Sequence, residues 1–431
     1  MTAIILLTIV VIVFIAMARQ KFGPDLGMPF LALAGLVLSS PAGAGLALKH
    51  GFEEFAHIAV TFTAVAIAAH QLKDSNLLRA FGMFTGTAIG RAAQRYALPV
   101  TWGVSFFCLF TTWALAATLH NTTAILVATP IIIIICQQFD VSARPILYAS
   151  LVASNLGGFS TRWGDTPNLI EAAQWGLQYG DFLQIMAINF GLLLIIIGLV
   201  ASRLTQVRLK GTELESILYK FHMARKALAI NWRLAFSALV GLLMIIVPPV
   251  ISPESEIRFV AIGILCLSFG QRFFSSRAEK HHNPFDALGF ETLSTLAAVF
   301  VLAAVLGSAE IGITEVLKSW LVSLQAPVWA IALISYIGTL LTEAASWANA
   351  AAPMVHGIDP SHRAAWALGA GICAGSSSLV TAASAGILLM KQTEKSPEHA
   401  VTFGGYLKFG LLVSFFMLVY YSMVLTLIYR S

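Results

Sequence analysis

Long apolar runs recur along the chain, and several reach the roughly 17–25 residues that cross a bilayer as a helix. Thr2–Ala18 and Leu234–Ile251 are two examples. Only 11% of the residues are charged and 58% are hydrophobic, whereas a soluble globular chain carries about 25% charged residues. The runs therefore predict an all-α polytopic membrane protein and disfavour a soluble one.

Basic residues collect in two stretches that bracket a pair of apolar runs. Arg203–Arg233 carries seven lysines and arginines, and Arg272–Lys280 forms the second stretch. Because cytoplasmic loops are enriched in Lys and Arg, both stretches are predicted to be cytoplasmic, with a membrane hairpin between them. Since the stretches flank apolar runs, the partner predicted from the charge is the lipid bilayer and not nucleic acid.

The first apolar run, Thr2–Ala18, is interpreted as a retained membrane helix. It lacks the positive residues that precede a signal peptide core, and its positive charges come after it at Arg19 and Lys21. The expected location of the protein is the bacterial inner membrane.

Two segments of the first half of the chain can be aligned with two segments of the second half. "LHNTTAILVATP" aligns with "TEAASWANAAAP", and "NLGGFSTRWGDTPNLI" aligns with "ICAGSSSLVTAASAGI", both at offsets close to half of the 431-residue chain. Such duplication of interrupted hydrophobic segments is typical of secondary transporters. The matched pairs are His120 with Glu343, Pro130 with Pro353, Gly158 with Gly375 and Asp165 with Ala382.

The duplication predicts an order of parts along the chain. The predicted parts are N-terminal membrane helices (1–54), a first repeat with a re-entrant hairpin and a broken helix (55–202), a basic cytoplasmic linker (203–233), a membrane hairpin with a cytoplasmic loop (234–289) and a second repeat (290–431). About 11–12 membrane segments are expected from this order.

Gly157–Asn168 is a polar, helix-breaking stretch inside an apolar region. Its glycines and Pro167 interrupt the helix and free backbone N–H and C=O groups, which membranes tolerate only where they are buried or line a cavity. Ends of half-helices then present partial charges to an ion. Thr123–Cys136 is short and contains Pro130, so it is predicted to be one arm of a re-entrant hairpin.

The motif Gly157–Ile170 resembles the ion transporter superfamily, which includes arsenite permeases, citrate and dicarboxylate symporters and sodium/proton antiporters of the NhaD type. Ser378–Met390 is similar to the matching segment of NhaD-type antiporters, and His120–Thr123 lies where dicarboxylate symporters have a Ser-Asn-Thr tip. The resemblance covers about Phe55–Tyr429. It implies an inverted repeat with two hairpins, a homodimer and an elevator-like movement.

The chain departs from the dicarboxylate symporters at three places. His120 replaces the usual serine or aspartate, Arg162 occupies a position that is usually uncharged, and the second tip lacks the Asn-Thr pair. The substrate therefore does not follow from the resemblance.

Charged and polar residues of the interrupted segments are the candidates for binding substrate or ion. Charged side chains within membrane spans usually face the protein interior or water. For Asp165 the alternative is a helix cap, and for the hydroxyl-rich group it is small-residue packing. Arg162 could bind an anion, or pair with Asp165 or Glu171. The candidates are His120, Asn121, Thr122, Thr123, Thr161, Arg162, Asp165, Thr166, Asn168, Glu343, Ser346, Ser376, Ser377, Ser378, Thr381 and Ser384.

Two transport functions fit these residues. In the first, a small anion is carried with H⁺ or Na⁺, and Arg162 slightly favours it because an arginine is unfavourable beside a sodium site. In the second, Na⁺ is exchanged for H⁺ through Asp165 and Glu343. A distant alternative is an intramembrane enzyme, but the sequence has no G-x-S-x-G, no H-E-x-x-H and no clustered Cys and His. No catalysis, no cofactor and no metal beyond a transported Na⁺ are predicted.

Overall fold

The computed structural model describes residues 2–19, 21–96, 98–204, 215–216, 219, 222–223, 226, 228–251, 256–274, 289–308, 310–394 and 396–429. Most of the predicted cytoplasmic stretches lies outside the described residues. Within those residues every regular element is a helix, which confirms the predicted all-α class.

Among the described residues of the first half, two α-helices precede a series of seven. These are α1 (Thr2–Ala18), α2 (Pro24–Leu38), α3 (Pro41–Asp74), α4 (Leu77–Tyr96), α5 (Val100–Leu119), α6 (Asn121–Gln138), α7 (Ala143–Phe159), α8 (Thr166–Trp175) and α9 (Phe182–Arg203). Helix α3 runs through residue 54, the predicted end of the N-terminal helices.

In the described part of the second half, an antiparallel pair is followed by a series of seven helices. These are α10 (Trp232–Ile251), α11 (Glu256–Phe274), α12 (Gly289–Leu306), α13 (Ile313–Ser323), α14 (Val328–Leu341), α15 (Ala344–His356), α16 (His362–Ser376), α17 (Ser384–Thr393) and α18 (Phe403–Ile428).

The series α3–α9 and α12–α18 pack in the same way. Helix α5 packs against α7 and α9, as α14 packs against α16 and α18; α6 packs against α7, as α15 packs against α16. Pro130 and Pro353 are each the tenth residue of their helices, α6 and α15. The chain therefore contains two copies of one seven-helix unit.

The two copies exchange contacts through their short helices. Helix α6 packs against α17 of the other copy, and α15 packs against α8. The long helices α3 and α12 also pack against each other. This reciprocal exchange is what a two-fold relation between the copies produces, and it brings the interrupted segments of both to the centre.

Close helix contacts hold each broken helix to its neighbour. A Cβ atom on Gly157 of α7 would collide with the Trp113 carbonyl oxygen of α5, and one on Gly371 of α16 would collide with the Ala332 carbonyl oxygen of α14. Only glycine fits at these two positions, because the backbone of the neighbouring helix occupies the place of a side chain.

Four described helical segments are long and apolar enough to cross a bilayer: α5, α6, Tyr179–Arg203 and α18. Further apolar helices, among them α1, α2 and α14, are shorter. Helix α6 is longer than the predicted arm Thr123–Cys136, because its first turn begins at Asn121 and its last extends to Gln138.

Candidate functional site

The first hairpin turns at a single residue between α5 and α6. His120 has φ 78° and ψ 142°, a conformation that a residue with a side chain adopts only at a cost, and such strain is concentrated at functional sites. Asn121, Thr122 and Thr123 follow in the first turn of α6, and all three are buried. The polar tip thus lies inside the protein.

The first break separates α7 from α8 at residues 160–165, within the predicted stretch. The Asn168 amide donates to the carbonyl oxygens of Gly158 (2.8 Å) and Thr161 (2.6 Å). The Thr161 hydroxyl donates to the Ala117 carbonyl oxygen over 2.7 Å. Asn168 and Thr161 therefore satisfy backbone groups around the break and hold its shape.

Asp165 connects the first break to the first hairpin tip. It is the N-cap of α8, where its Oδ1 accepts the Thr166 N–H over 2.9 Å. Its Oδ2 accepts the Asn121 side-chain amide over 2.7 Å. The His120 Nε2 lies 3.8 Å from Asp165 Oδ1 and 3.3 Å from the Thr166 hydroxyl. Asp165 is thus a helix cap and also the polar centre of this half.

The second hairpin turns at Thr342 and Glu343, between α14 and α15. Glu343 is 4% exposed, and one carboxylate oxygen accepts the backbone N–H groups of Ala345 (2.8 Å) and Ser346 (3.3 Å). A carboxylate at a helix N-terminus is stabilised by the N–H groups and by the helix dipole. Each half therefore has an acidic N-cap, the partly buried Asp165 on a broken helix and the buried Glu343 on a hairpin.

The second break separates α16 from α17 at residues 377–383. It is one residue longer than the first, so the N-cap equivalent to Asp165 is Ala383, one position beyond the Ala382 of the sequence alignment. The hydroxyls of Ser376 and Ser377 donate to the Cys373 carbonyl oxygen, and that of Ser378 to the Gly375 carbonyl oxygen. Thr381 is buried in the break.

Two hydrogen bonds join the halves at this level. The hydroxyls of Thr122 and Ser384 lie 3.2 Å apart, and the Asn155 amide donates to the Ser377 hydroxyl over 3.1 Å. We use the name central cluster for the residues connected through Asp165 and Thr122. The central cluster consists of His120, Asn121, Thr122, Asp165, Thr166 and Ser384.

Arg162 lies apart from the central cluster. Its guanidinium carbon is 5.4 Å from the centre of the Tyr179 ring, in a cation–π contact. Among the described ion pairs Arg162 has neither Asp165 nor Glu171 as a partner. Trp163 packs on the same Tyr179 ring, so these aromatic contacts position the arginine.

Sequence reasoning did not select several buried polar residues beside the breaks. Asn189 donates to Ser160 and accepts from Tyr421, and the Tyr406 hydroxyl donates to the Ser377 carbonyl oxygen. Glu171 on α8 is fully buried. Each is a polar residue within an apolar helix, which is the one signal that could have found them.

Paired hairpins and broken helices with buried polar tips, duplicated in an apolar all-α chain, define a membrane transporter. The chain belongs to the family whose model is described as CitMHS, citrate transporter, which matches residues 9–385.

Relatives of the chain include proteins of several organisms. It is 27% identical to the magnetosome protein MamN of Paramagnetospirillum magneticum, over 93% of this chain and 91% of that protein. It is 27% identical to a 46 kDa membrane protein of Mycobacterium leprae, but there the match spans only 54% of the relative. The YdaH transporter of Alcanivorax borkumensis has 19% identity and a TM-score of 0.42, over 88% of this chain and 86% of that structure.

Proposed function

We propose that the protein is a secondary active transporter that carries a small anion together with H⁺ or Na⁺. A carboxylate such as citrate is the first substrate to test, because the description of the family names it. The proposal rests on one observation. The N-termini of α6 and α17 are in contact through the hydroxyls of Thr122 and Ser384.

Those two N-termini are suited to an anion. Neither His120 nor Ala383, the N-cap residues of α6 and α17, caps its helix through a side chain. An N-terminus carries about half a positive charge, and its free N–H groups bind anions. The N-termini of α8 and α15 are instead capped by Asp165 and Glu343. The N-termini of α6 and α17 therefore lack a capping side chain of their own.

Asp165 supports the binding of the coupling cation. Its carboxylate accepts two hydrogen bonds, and no Lys or Arg among the described residues forms an ion pair with it. A charge at this depth costs several kcal/mol unless it is compensated. A proton or Na⁺ bound in the central cluster would supply that compensation, with His120 as a neighbour whose own charge depends on pH.

The exchanged contacts between the halves support an elevator-like movement. The hydrogen bonds Thr122–Ser384 and Asn155–Ser377 join the first hairpin and the first broken helix to the second broken helix, and α15 of the second hairpin packs against α8. We propose that this unit moves as one body against the remaining helices, in a homodimer of the bacterial inner membrane, with the domain order predicted from the sequence.

A second candidate is a Na⁺/H⁺ antiporter. The position of Arg162 favours it, because the guanidinium contacts the Tyr179 ring and forms no described ion pair with Asp165. In this case Asp165 and Glu343 alternately bind Na⁺ and H⁺ and no anion is carried.

Transport by the purified protein in proteoliposomes tests these functions. We expect labelled citrate to accumulate inside vesicles when an inward H⁺ or Na⁺ gradient is imposed, and to stay at equilibrium without one. Citrate that never exceeds equilibrium contradicts the symport proposal. A pH-sensitive dye that reports H⁺ movement upon addition of Na⁺, without citrate, would establish the antiporter, whereas chemical conversion of citrate would indicate an enzyme.

A further inference from the structure

Glu171 is a buried carboxyl group without a hydrogen-bonding partner. It lies in α8, six residues after Asp165, and its exposed fraction is 0%. Neither of its carboxyl oxygens has a hydrogen-bond partner in the described part of the chain. Buried polar groups are normally paired, so an unpaired acidic group beside the break calls for a physical explanation.

Glu171 lies where the two copies touch. Helix α8 belongs to the first copy and packs against α15 and α16 of the second. A Cβ atom on Gly369 of α16 would lie 2.6 Å from Glu171 Oε2 and would also collide with the Phe159 ring. The carboxyl group is thus pressed against bare backbone of the opposite copy.

Among the described residues, no positively charged side chain pairs with Glu171. The titratable neighbours are Asp165 on α8, Cys373 on α16 and Tyr421 on α18, whose hydroxyl lies 3.7 Å from the Cys373 sulfur. On α15, His356 packs on the ring of Trp175, one helical turn after Glu171. None of these groups offers Glu171 an ion pair.

An ionised carboxylate in this place would cost several kcal/mol, so the group needs a bound cation. A sodium ion requires several oxygen ligands, and Glu171 has no polar partner to share one. A proton needs none, because it binds covalently to one carboxyl oxygen. The geometry therefore selects H⁺ as the ligand.

We propose that Glu171 is a proton-binding site, distinct from Asp165, that holds H⁺ while α8 and α16 are in contact. When that contact opens to water, the O–H bond breaks, both electrons stay on the carboxylate and the proton passes to water. This inference rests on the proposed function, since it makes H⁺ the coupling ion of the transporter.

A line of polar groups leads from this region to the first break. Cys373 contacts the Tyr421 hydroxyl, which donates to Asn189 Oδ1, and the Asn189 amide donates to the Ser160 hydroxyl over 3.1 Å. Ser160 is the first residue of the break. Opening the contact would therefore bring Glu171 to groups that already bond to one another and that end at the first break.

The test uses Glu171→Gln, which keeps the shape of the side chain and cannot release a proton. The matched control is Glu315→Gln, on the exposed face of α13. First, infrared spectra of the reconstituted full-length protein at neutral pH are compared. We expect a carbonyl band of a protonated carboxyl group in the wild type that Glu171→Gln lacks and Glu315→Gln retains. A wild-type Glu171 that absorbs as a carboxylate overturns the proposal.

Second, citrate transport is measured in two modes. Glu171→Gln is expected to reduce accumulation driven by a pH gradient by about tenfold or more, and to leave citrate exchange at equal pH close to the wild type. If Glu171→Gln accumulates citrate as the wild type does, Glu171 is a permanently protonated group that only contributes to packing, and the proposal is overturned. If the wild type moves no citrate, the proposed function fails, while the infrared band still decides whether Glu171 binds a proton.

Discussion

The side-chain amide of Asn121 donates a 2.7 Å hydrogen bond to Asp165 Oδ2. Asn121 begins α6 and Asp165 caps α8, so this bond joins a hairpin tip to a broken helix. A hydrogen bond to a charged group contributes about 1.5–3 kcal/mol. The position of the Asp165 carboxylate is therefore coupled to the position of the hairpin.

Replacement of Asp165 by Asn should nearly abolish gradient-driven transport while the protein still folds. Asn retains one oxygen for the Thr166 N–H but carries no charge to bind a cation. Uptake in proteoliposomes and thermal unfolding in detergent measure the two effects. Asp140→Asn is the control, because Asp140 is exposed and has a positive φ that Asn tolerates. If Asp165→Asn takes up substrate at the wild-type rate, Asp165 serves only as a helix cap and the prediction is wrong.

Thr122→Val should weaken the connection between the two copies. It removes the hydroxyl that lies 3.2 Å from the Ser384 hydroxyl, and a neutral hydrogen bond contributes about 0.5–1.5 kcal/mol. A double-mutant cycle of Thr122→Val with Ser384→Ala, read by unfolding, should give a coupling energy in that range. Thr129→Val on the same helix is the control, since that hydroxyl bonds only within its helix; equal coupling of both threonines with Ser384 would contradict the prediction.

Gly371→Ala should destabilise the contact of α16 with α14. The added Cβ would lie 2.6 Å from Ser335 Cβ and would collide with the Ala332 carbonyl oxygen, and such overpacking costs about 1–3 kcal/mol. Gly45→Ala provides the contrast, because a Cβ at Gly45 in α3 meets nothing within 4 Å. The unfolding temperature should fall for Gly371→Ala and stay level or rise for Gly45→Ala.

Asp359→Asn should lower stability at neutral pH and have no effect in acid. Asp359 lies in the connection between α15 and α16. Burial alone would raise its pKa, but hydrogen bonds from Ser361 and Arg363 outweigh burial and hold that pKa below the usual value. A carboxyl group whose pKa is lowered in the folded state stabilises that state at pH values above the ordinary pKa. This stabilisation is lost as the pH falls through the lowered pKa.

Asp359 and Arg363 form an ion pair whose side chains are partly exposed. The substitution should therefore lower the free energy of unfolding by about 0.5 kcal/mol. Unfolding temperatures of wild type and Asp359→Asn, measured from neutral pH downward, should converge as the carboxyl group becomes protonated. A difference that persists in acid would show that the substitution acts through packing.

Much of the fold could be predicted from the length of the apolar runs, from the internal repeat and from helix-breaking residues. The break at Gly157–Asn168 and the pairing of Pro130 with Pro353 follow from local chemistry that a single sequence displays. The direction of Arg162 could not be predicted, because it depends on the distant Tyr179 ring. Glu171 was considered only as a partner for Arg162, since nothing in the sequence places the bare backbone of Gly369 beside it.

The packing of short helices of one copy against short helices of the other has a consequence for biosynthesis. The chain is inserted from its N-terminus, so α6 and α8 enter the membrane before α15 and α17 exist. Until residues 344–393 have been translated, the faces of α6 and α8 that will contact them have no partner from this chain. The central cluster is therefore completed only after Ser384 has been translated and its hydroxyl reaches Thr122.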